Sequence, residues 1–272
     1  MNWKSPPPDN SKNWINKSLE MQVILACNWS CHACDELSNL HGLPFIKHGA
    51  MTVEQVAWFA SEIRRARGYF GRLRIIGGEP TLHPKLTEIV SILGGLVPAH
   101  LFQVELVTNG SKPAIIAMHA NRLKVRVSDE DEKQKYHEAN LRATPATLGY
   151  RGIPCNSPWF SGMSLNRFGY FPCSAGASAA RLRDWMRWQR LTLPLSRNYQ
   201  WPGLPTAVRD EWPDLADLCT HCYRGLRQAD KVHCGTGILE ADRIKNAPHP
   251  EADTMLAEWS SGKPVTWAVY EG

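Results

Sequence analysis

The sequence predicts an α/β fold: a partial, truncated TIM-like barrel of parallel strands, followed by a small domain built from a β-hairpin and helix. Short apolar strands alternate with amphipathic helices from about Leu19 to Asn140. That order, with short connections, implies parallel pairing through right-handed crossovers. Four to five such units make a partial barrel, well short of an eightfold one. Near Arg142 the chain turns to short runs rich in Gly and Pro. The expected division is a flexible N-terminal tail over 1–18, the barrel over 19–142, the second domain over 143–240 and a C-terminal tail over 241–272.

Each element has a local reason. MQVILA (Met21–Ala26) reads as a buried strand that runs directly into a loop of cysteines. Thr52 caps a helix, with Gln55 three residues on completing a capping box. Val56, Phe59, Ala60 and Ile63 form its inner stripe, and Gly68 ends it. LRII (Leu73–Ile76) is the next strand. Pro84 opens a second helix with the stripe Leu86, Ile89, Val90 and Leu93, closed by Gly94 and Gly95. Phe102, Val104 and Leu106 alternate in a third strand, and Leu123, Val125 and Val127 in a fourth. Further on, FSGMSLNRFGYFPC reads as a hairpin, with the turn at Asn166 to Gly169 and Cys173 at the end of the returning strand. Residues 181–190 look helical, and a Pro- and Trp-rich connection over about 194–213 leads to a helix or knuckle carrying Cys219 and Cys222.

Composition narrows the class of protein. With 272 residues, 43% hydrophobic and 21% charged, the chain has the makings of an ordinary globular core. No apolar stretch approaches the length needed to cross a membrane. The first eighteen residues lack the apolar centre of a secretory signal, so the expected location is the cytoplasm. Net charge is a mild +5. Arginines gather in EIRRARGYFGRLR and in RLRDWMRWQR, the latter interleaved with Trp185 and Trp188. Such a segment can bind nucleic acid, but the plainer reading is a solvated helix face with its tryptophans turned inward. A positive surface also suits docking of an acidic electron donor such as a flavodoxin or ferredoxin.

The eight cysteines carry the chemistry. In a cytosolic chain of this size metal or redox use is favoured over disulfides. Cys27, Cys31 and Cys34 crowd into eight positions, spaced C-x3-C-x2-C, while Cys155, Cys173, Cys219, Cys222 and Cys234 all lie in the second half. The first trio is the arrangement that holds three irons of a 4Fe–4S cluster and leaves the fourth open to a small molecule. A structural zinc site is the rival reading, for this trio and for Cys219 with Cys222. In α/β structures ligands bind beyond the carboxyl ends of the strands. The cysteine loop follows the first strand there, Gly77-Gly78-Glu79-Pro80 the second, and Thr108-Asn109-Gly110 the third, while Ser128 and Asp129 end the fourth. Paired glycines let backbone approach a ligand, and their N–H and C=O groups can bind a charged head group. Asn109, Ser128 and Asp129 suit sugar hydroxyls. Glu79 reads as a salt-bridge partner or a ligand contact, with its place in the motif favouring the ligand. His32, His41, His48 and His83 are read as surface or loop histidines without a catalytic role.

With these motifs in place, the chain resembles the radical S-adenosylmethionine (radical SAM) enzymes. The cysteine trio, the GGEP stretch at Gly77 to Pro80 and the TNG segment at Thr108 to Gly110 carry the resemblance. It implies that S-adenosylmethionine binds the open iron, that the GGEP backbone contacts its amino group, and that later strand ends hold the ribose. One electron from the cluster on Cys27, Cys31 and Cys34 would then cleave the sulfonium to a 5′-deoxyadenosyl radical, which abstracts hydrogen from a substrate. One departure is Ala33, where the position before the third cysteine is usually aromatic. In the second half, Cys155 and Cys173 enclose seventeen residues around the hairpin, and Cys219-Thr-His-Cys222 follows after a long gap. That layout is similar to the twitch auxiliary-cluster domain, a reduced relative of the SPASM domain. It resembles in particular the radical SAM dehydrogenases that oxidise an aminocyclitol alcohol in butirosin biosynthesis. The resemblance implies a second 4Fe–4S cluster on Cys155, Cys173, Cys219 and Cys222, fully ligated and suited to accept an electron. Cys234 is left as a substitute ligand, a hydrogen donor or a buried thiol.

The expected function is therefore a radical SAM oxidoreductase acting on a small hydroxylated metabolite, such as a sugar, aminocyclitol or nucleoside derivative. Two alternatives stand beside it: a radical SAM maturase of a peptide or protein, and a zinc-stabilised protein that binds nucleic acid.

Overall fold

In the computed structural model of the chain, the residues described are 14–29, 36, 49–66, 69–128, 162–171, 173, 174 and 177. Their elements run, in chain order, β1 (Trp14–Ile24), α1 (Val53–Arg65), β2 (Tyr69–Gly77), a 3-10 turn (Pro80–Leu82), α2 (Leu86–Gly94), β3 (Leu101–Thr108), α3 (Pro113–His119), β4 (Lys124–Val127), β5 (Met163–Asn166) and β6 (Gly169–Phe171). The six strands form one sheet in the order β4-β3-β2-β1-β5-β6. Every neighbouring pair is parallel except the β5–β6 hairpin.

The alternation of side chains along each strand gives this sheet two unlike faces. Leu19 and Met21 of β1 lie opposite Leu73 and Ile75 of β2, which in turn lie opposite Val104 and Leu106 of β3. Met163 and Leu165 of β5 extend the same face beyond Leu19 and Met21. These residues share one buried core with Val56, Phe59, Ala60 and Ile63 of α1 and Leu86, Ile89, Val90 and Leu93 of α2. The helix stripes thus match the sequence reading. Full burial of each of these larger side chains is worth about 1.5–3 kcal/mol, which is why the helices settle on this face.

Helix α1 has its predicted N-terminus. Thr52 Oγ1 accepts from the Gln55 N–H and Gln55 Oε1 from the Thr52 N–H, a complete capping box. Gln55 Nε2 also donates to the Arg167 carbonyl at 3.0 Å, tying this helix end to the β5–β6 turn. The helix ends at Arg65, and Gly68 lies outside the described residues. Helix α2 begins at Leu86, just beyond Pro84. Helix α3 is absent from the sequence reading; it is short, with Pro113 in its first turn.

Two differences from expectation concern the sheet. β1 begins at Trp14, so Trp14 to Ser18, read as tail, belong to the strand, and Trp14, Asn16 and Ser18 pair with β2. The hairpin was expected to open a separate domain. Instead β5 pairs in parallel with β1, placing the hairpin in the same sheet as the first four strands. Its turn is as predicted, with Asn166 opposite Gly169 and Asn166 Oδ1 accepting from the Phe168 N–H at 2.8 Å. The helix read at 181–190, the connection over 194–213 and the tail lie outside the described residues.

Candidate functional site

The carboxyl ends of β1, β2, β3 and β4 meet along one rim, because parallel strands in this register end together. Cys27 follows β1 there, Gly77 to Pro80 close β2, Thr108 and Asn109 close β3, and Ser128 follows β4. Cys31, Cys34 and Asp129 lie outside the described residues, as do Cys155, Cys219, Cys222 and Cys234.

The two motif glycines serve chain against chain. The Gly78 N–H donates to the Ile24 carbonyl at 2.8 Å and the Glu79 N–H to the Ala26 carbonyl at 2.9 Å. A Cβ on Gly77, whose φ is +138°, would fall 2.0 Å from the Ile24 oxygen, and one on Gly78 would fall 2.1 Å from the Ala26 oxygen. Only glycine permits such an approach. The sequence reading took these N–H groups to be available to a ligand. That of Gly78 is instead committed to the entry of the cysteine loop, and what a ligand gains is the position of that loop.

Glu79 is fully buried. Its Oε1 accepts from the Thr81 N–H at 3.0 Å, the Thr81 hydroxyl at 2.5 Å and the Thr108 hydroxyl at 2.6 Å. Its Oε2 accepts from the Asn109 N–H at 2.6 Å. Among the described residues the carboxylate meets no cation, and its partners are these four donors. It is a clamp joining the ends of β2 and β3, with neutral N–H and O–H donors satisfying its charge. Thr108 is spent in the same clamp, and its hydroxyl also accepts from the Gly110 N–H at 3.2 Å. The Ser128 N–H donates to the Thr108 carbonyl at 2.8 Å, joining the end of β4 to the same group. His83 braces the loop from below: its Nε2 lies 2.9 Å from the Met51 carbonyl and its Nδ1 accepts from the Lys85 N–H at 3.0 Å. Burial pushes the His83 pKa down, which keeps the ring neutral.

Cys27 is half-buried. Its sulfur accepts from the Trp29 N–H at 3.3 Å and from Asn109 Nδ2 at 3.7 Å. Asn109 Nδ2 also donates to Asn28 Oδ1 at 3.1 Å, and the Ser111 hydroxyl reaches the same Asn28 oxygen at 3.3 Å. Sequence reasoning overlooked Asn28 and Ser111, whose only signal was their nearness to the motifs. A soft sulfur at a strand end, reachable from outside and facing two N–H donors, fits an iron–sulfur ligand. Asn109 was expected to hold sugar hydroxyls; both ends of its amide are engaged within the protein.

Cys173 is half-buried against the core beyond β6. A polar bridge ties its neighbour Ser174 to β1 and to Glu36. Glu36, two residues after Cys34, accepts from Gln22 Nε2 at Oε2 and from the Ser174 hydroxyl at 2.8 Å at Oε1. Gln22 Nε2 also donates to the Ser174 carbonyl at 3.2 Å, and Asn166 Nδ2 to Gln22 Oε1 at 3.3 Å.

The face of the sheet opposite the helices is charged. Across one level run Lys124 of β4, Glu105 of β3, Arg74 of β2, Glu20 of β1 and Ser164 of β5. Lys124 Nζ lies 3.0 Å from Glu105, and Arg74 reaches Glu20 at 2.6 Å and Glu105 at 3.4 Å. Pairing of this kind offsets the desolvation of the buried Glu20 and Glu105 carboxylates. On the next level Arg72 has its pKa pushed down to about 10, first by burial and then by the neighbouring Arg74. The signal is present in the sequence as alternating charge in RLRI, QVEL and KVRV; the sequence reading notes the arginines of the first but not their alternation with apolar residues.

Among the described residues no helix is long and apolar enough to cross a membrane, and no group of three metal-ligating side chains is assembled. No family model matches the chain, and no curated protein matches it. Solved structures similar to it include the crystal structure of BtrN in complex with AdoMet and 2-DOIA, at TM-score 0.41 and 15% identity, covering 76% of this chain and 92% of that one. Another is selenomethionine BtrN in an open conformation, at TM-score 0.39 and 16% identity, with the same coverage of 76% and 92%.

Proposed function

We propose that the chain is a radical SAM oxidoreductase. The observation that carries the reading is the meeting of three sequence-distant motifs at one end of a parallel sheet, with Asn109 of the third hydrogen-bonded to Cys27 of the first and Glu79 of the second clamping Asn109 in place. Cys27, Cys31 and Cys34 would hold a 4Fe–4S cluster at which S-adenosylmethionine would bind. When loaded, this cluster supplies the electron that cleaves the sulfonium and so generates the 5′-deoxyadenosyl radical. The protein's own part is positional. The Gly78 and Glu79 N–H groups fix the cysteine loop on β2, and the Glu79 carboxylate fixes β3 on β2. Both keep the rim from yielding when a cofactor docks.

In this reading the substrate is a small hydroxylated metabolite, from which the radical removes a carbon-bound hydrogen. A second cluster on Cys155, Cys173, Cys219 and Cys222 would accept the remaining electron of a two-electron oxidation. The Gln22–Glu36–Ser174 bridge supports such pairing, since it holds the segment beside Cys173 to the loop beside Cys34. An acidic flavodoxin or ferredoxin, attracted by the mildly positive chain, would supply the first electron.

The test is anaerobic reconstitution with iron and sulfide, then addition of dithionite and S-adenosylmethionine. The reading predicts 5′-deoxyadenosine from the wild type and none from Cys27→Ala. A colourless protein that binds zinc and releases no acid-labile sulfide would replace it with a structural metal site.

A further inference from the structure

We infer that Asn109 sets the reduction potential of the centre held by Cys27, and that this, not ribose binding, is its role at the rim. The inference rests on the reading of Cys27 as an iron–sulfur ligand. The orientation of the Asn109 amide is fixed without appeal to that ligand. Its Oδ1 accepts from the Ser111 N–H at 2.9 Å, a donor that cannot rotate away, so its other end must be Nδ2. That end points at Cys27 Sγ at 3.7 Å and at Asn28 Oδ1 at 3.1 Å. The residue's own N–H is held by Glu79 Oε2 at 2.6 Å. At 7% exposure, Asn109 has its N–H and both ends of its side-chain amide committed, and little of the side chain remains for an outside ligand.

An N–H donor on a ligating sulfur favours the form that carries more negative charge. That is the reduced form, so each such bond raises the potential. The Trp29 N–H is a second donor to the same sulfur at 3.3 Å, but it belongs to the backbone and every side-chain variant keeps it. Asn109 is therefore the adjustable member of the pair. Its effect is to ease the first reduction of the cluster, which any one-electron cleavage of a sulfonium requires. It acts through Cys27 and is a positioning residue, since it touches the sulfur and not the reacting atoms.

The experiment is a redox titration, followed by electron paramagnetic resonance, of reconstituted wild type, Asn109→Leu and Asn109→Asp. The Cys31 and Cys34 ligands stay intact throughout, and no S-adenosylmethionine is added. Both variants keep the backbone bond to Glu79 and approximate the shape of Asn109, and both lose the N–H donor. The expected result is a fall in potential equivalent to about a tenfold shift in the reduced-to-oxidised ratio, or about 59 mV for one electron. The Asp variant should fall further, because its charge repels the added electron. Variants that retain iron at the wild-type potential overturn the inference. So does failure of both variants to assemble a cluster, which would make Asn109 a structural residue. A wild type that assembles no cluster defeats the parent reading instead, and the two failures are thereby told apart.

Discussion

Replacing Glu79 with glutamine probes the clamp that builds the rim. The carboxylate serves four donors, and two of them, the N–H groups of Thr81 and Asn109, are backbone and cannot turn away. An amide has one oxygen. If it faces Thr81 and the Thr108 hydroxyl, its NH2 group confronts the Asn109 N–H. If it is flipped toward Asn109, the NH2 group confronts the Thr81 N–H. In either orientation one buried backbone donor is orphaned, at about 1–3 kcal/mol. The bonds that survive fall from charge-assisted to neutral strength, which adds to the loss. Against this, the amide avoids the desolvation of a buried charge. The net expectation for Glu79→Gln is a loss of about 2–3 kcal/mol in a urea titration followed by circular dichroism. In a chain of this size that corresponds to a fall in Tm of about 5–10 °C. Faster exchange of the Asn109 amide proton should accompany it. A variant within about 0.5 kcal/mol of wild type, or one with unchanged protection at Asn109, would refute the clamp and the reasoning built on it.

Other outcomes follow from the same contacts. Gly78→Ala places a Cβ 2.1 Å from the Ala26 oxygen, a backbone atom with no room to give. It should cost about 3 kcal/mol or more and lower the iron content of the reconstituted protein; normal stability and iron would remove the close approach from the account. Because burial depresses the His83 pKa, the unfolded chain binds more protons than the folded one below about pH 6.5, the ordinary histidine value. Stability should therefore fall as the pH is lowered through 6.5, with a shallower slope in His83→Gln, measured by urea midpoints; equal slopes would contradict it. Cys219→Ala should spare 5′-deoxyadenosine formation yet block net substrate oxidation, and parallel loss of both in a folded variant would argue against an electron relay.

The helices were legible because their signals are local. The Thr52–Gln55 box and the stripes of α1 and α2 need only spacings of three and four residues, and each is found where the spacing puts it. The start of β1 was hidden because Asn16 and Ser18 are polar yet buried, against the usual run of composition. Pairing of β5 with β1 joins residues about 144 apart, as in Ser164 with Glu20, and no local pattern encodes it. Cys27, the GGEP stretch and Thr108–Asn109 lie at the strand ends, but the contacts each makes there emerged only in three dimensions. The Gly78 and Glu79 N–H groups donate to the distant Ile24 and Ala26 carbonyls, and Asn109 faces a sulfur 82 positions away.

The most direct measurement is the electron paramagnetic resonance spectrum of the anaerobically reconstituted, dithionite-reduced protein before and after adding S-adenosylmethionine. If Cys27 belongs to a centre with a vacant iron, the cluster signal must shift on addition and must be missing from Cys27→Ala. A reduced cluster whose spectrum is indifferent to the cosubstrate would contradict the account, whatever the stability of the fold around it.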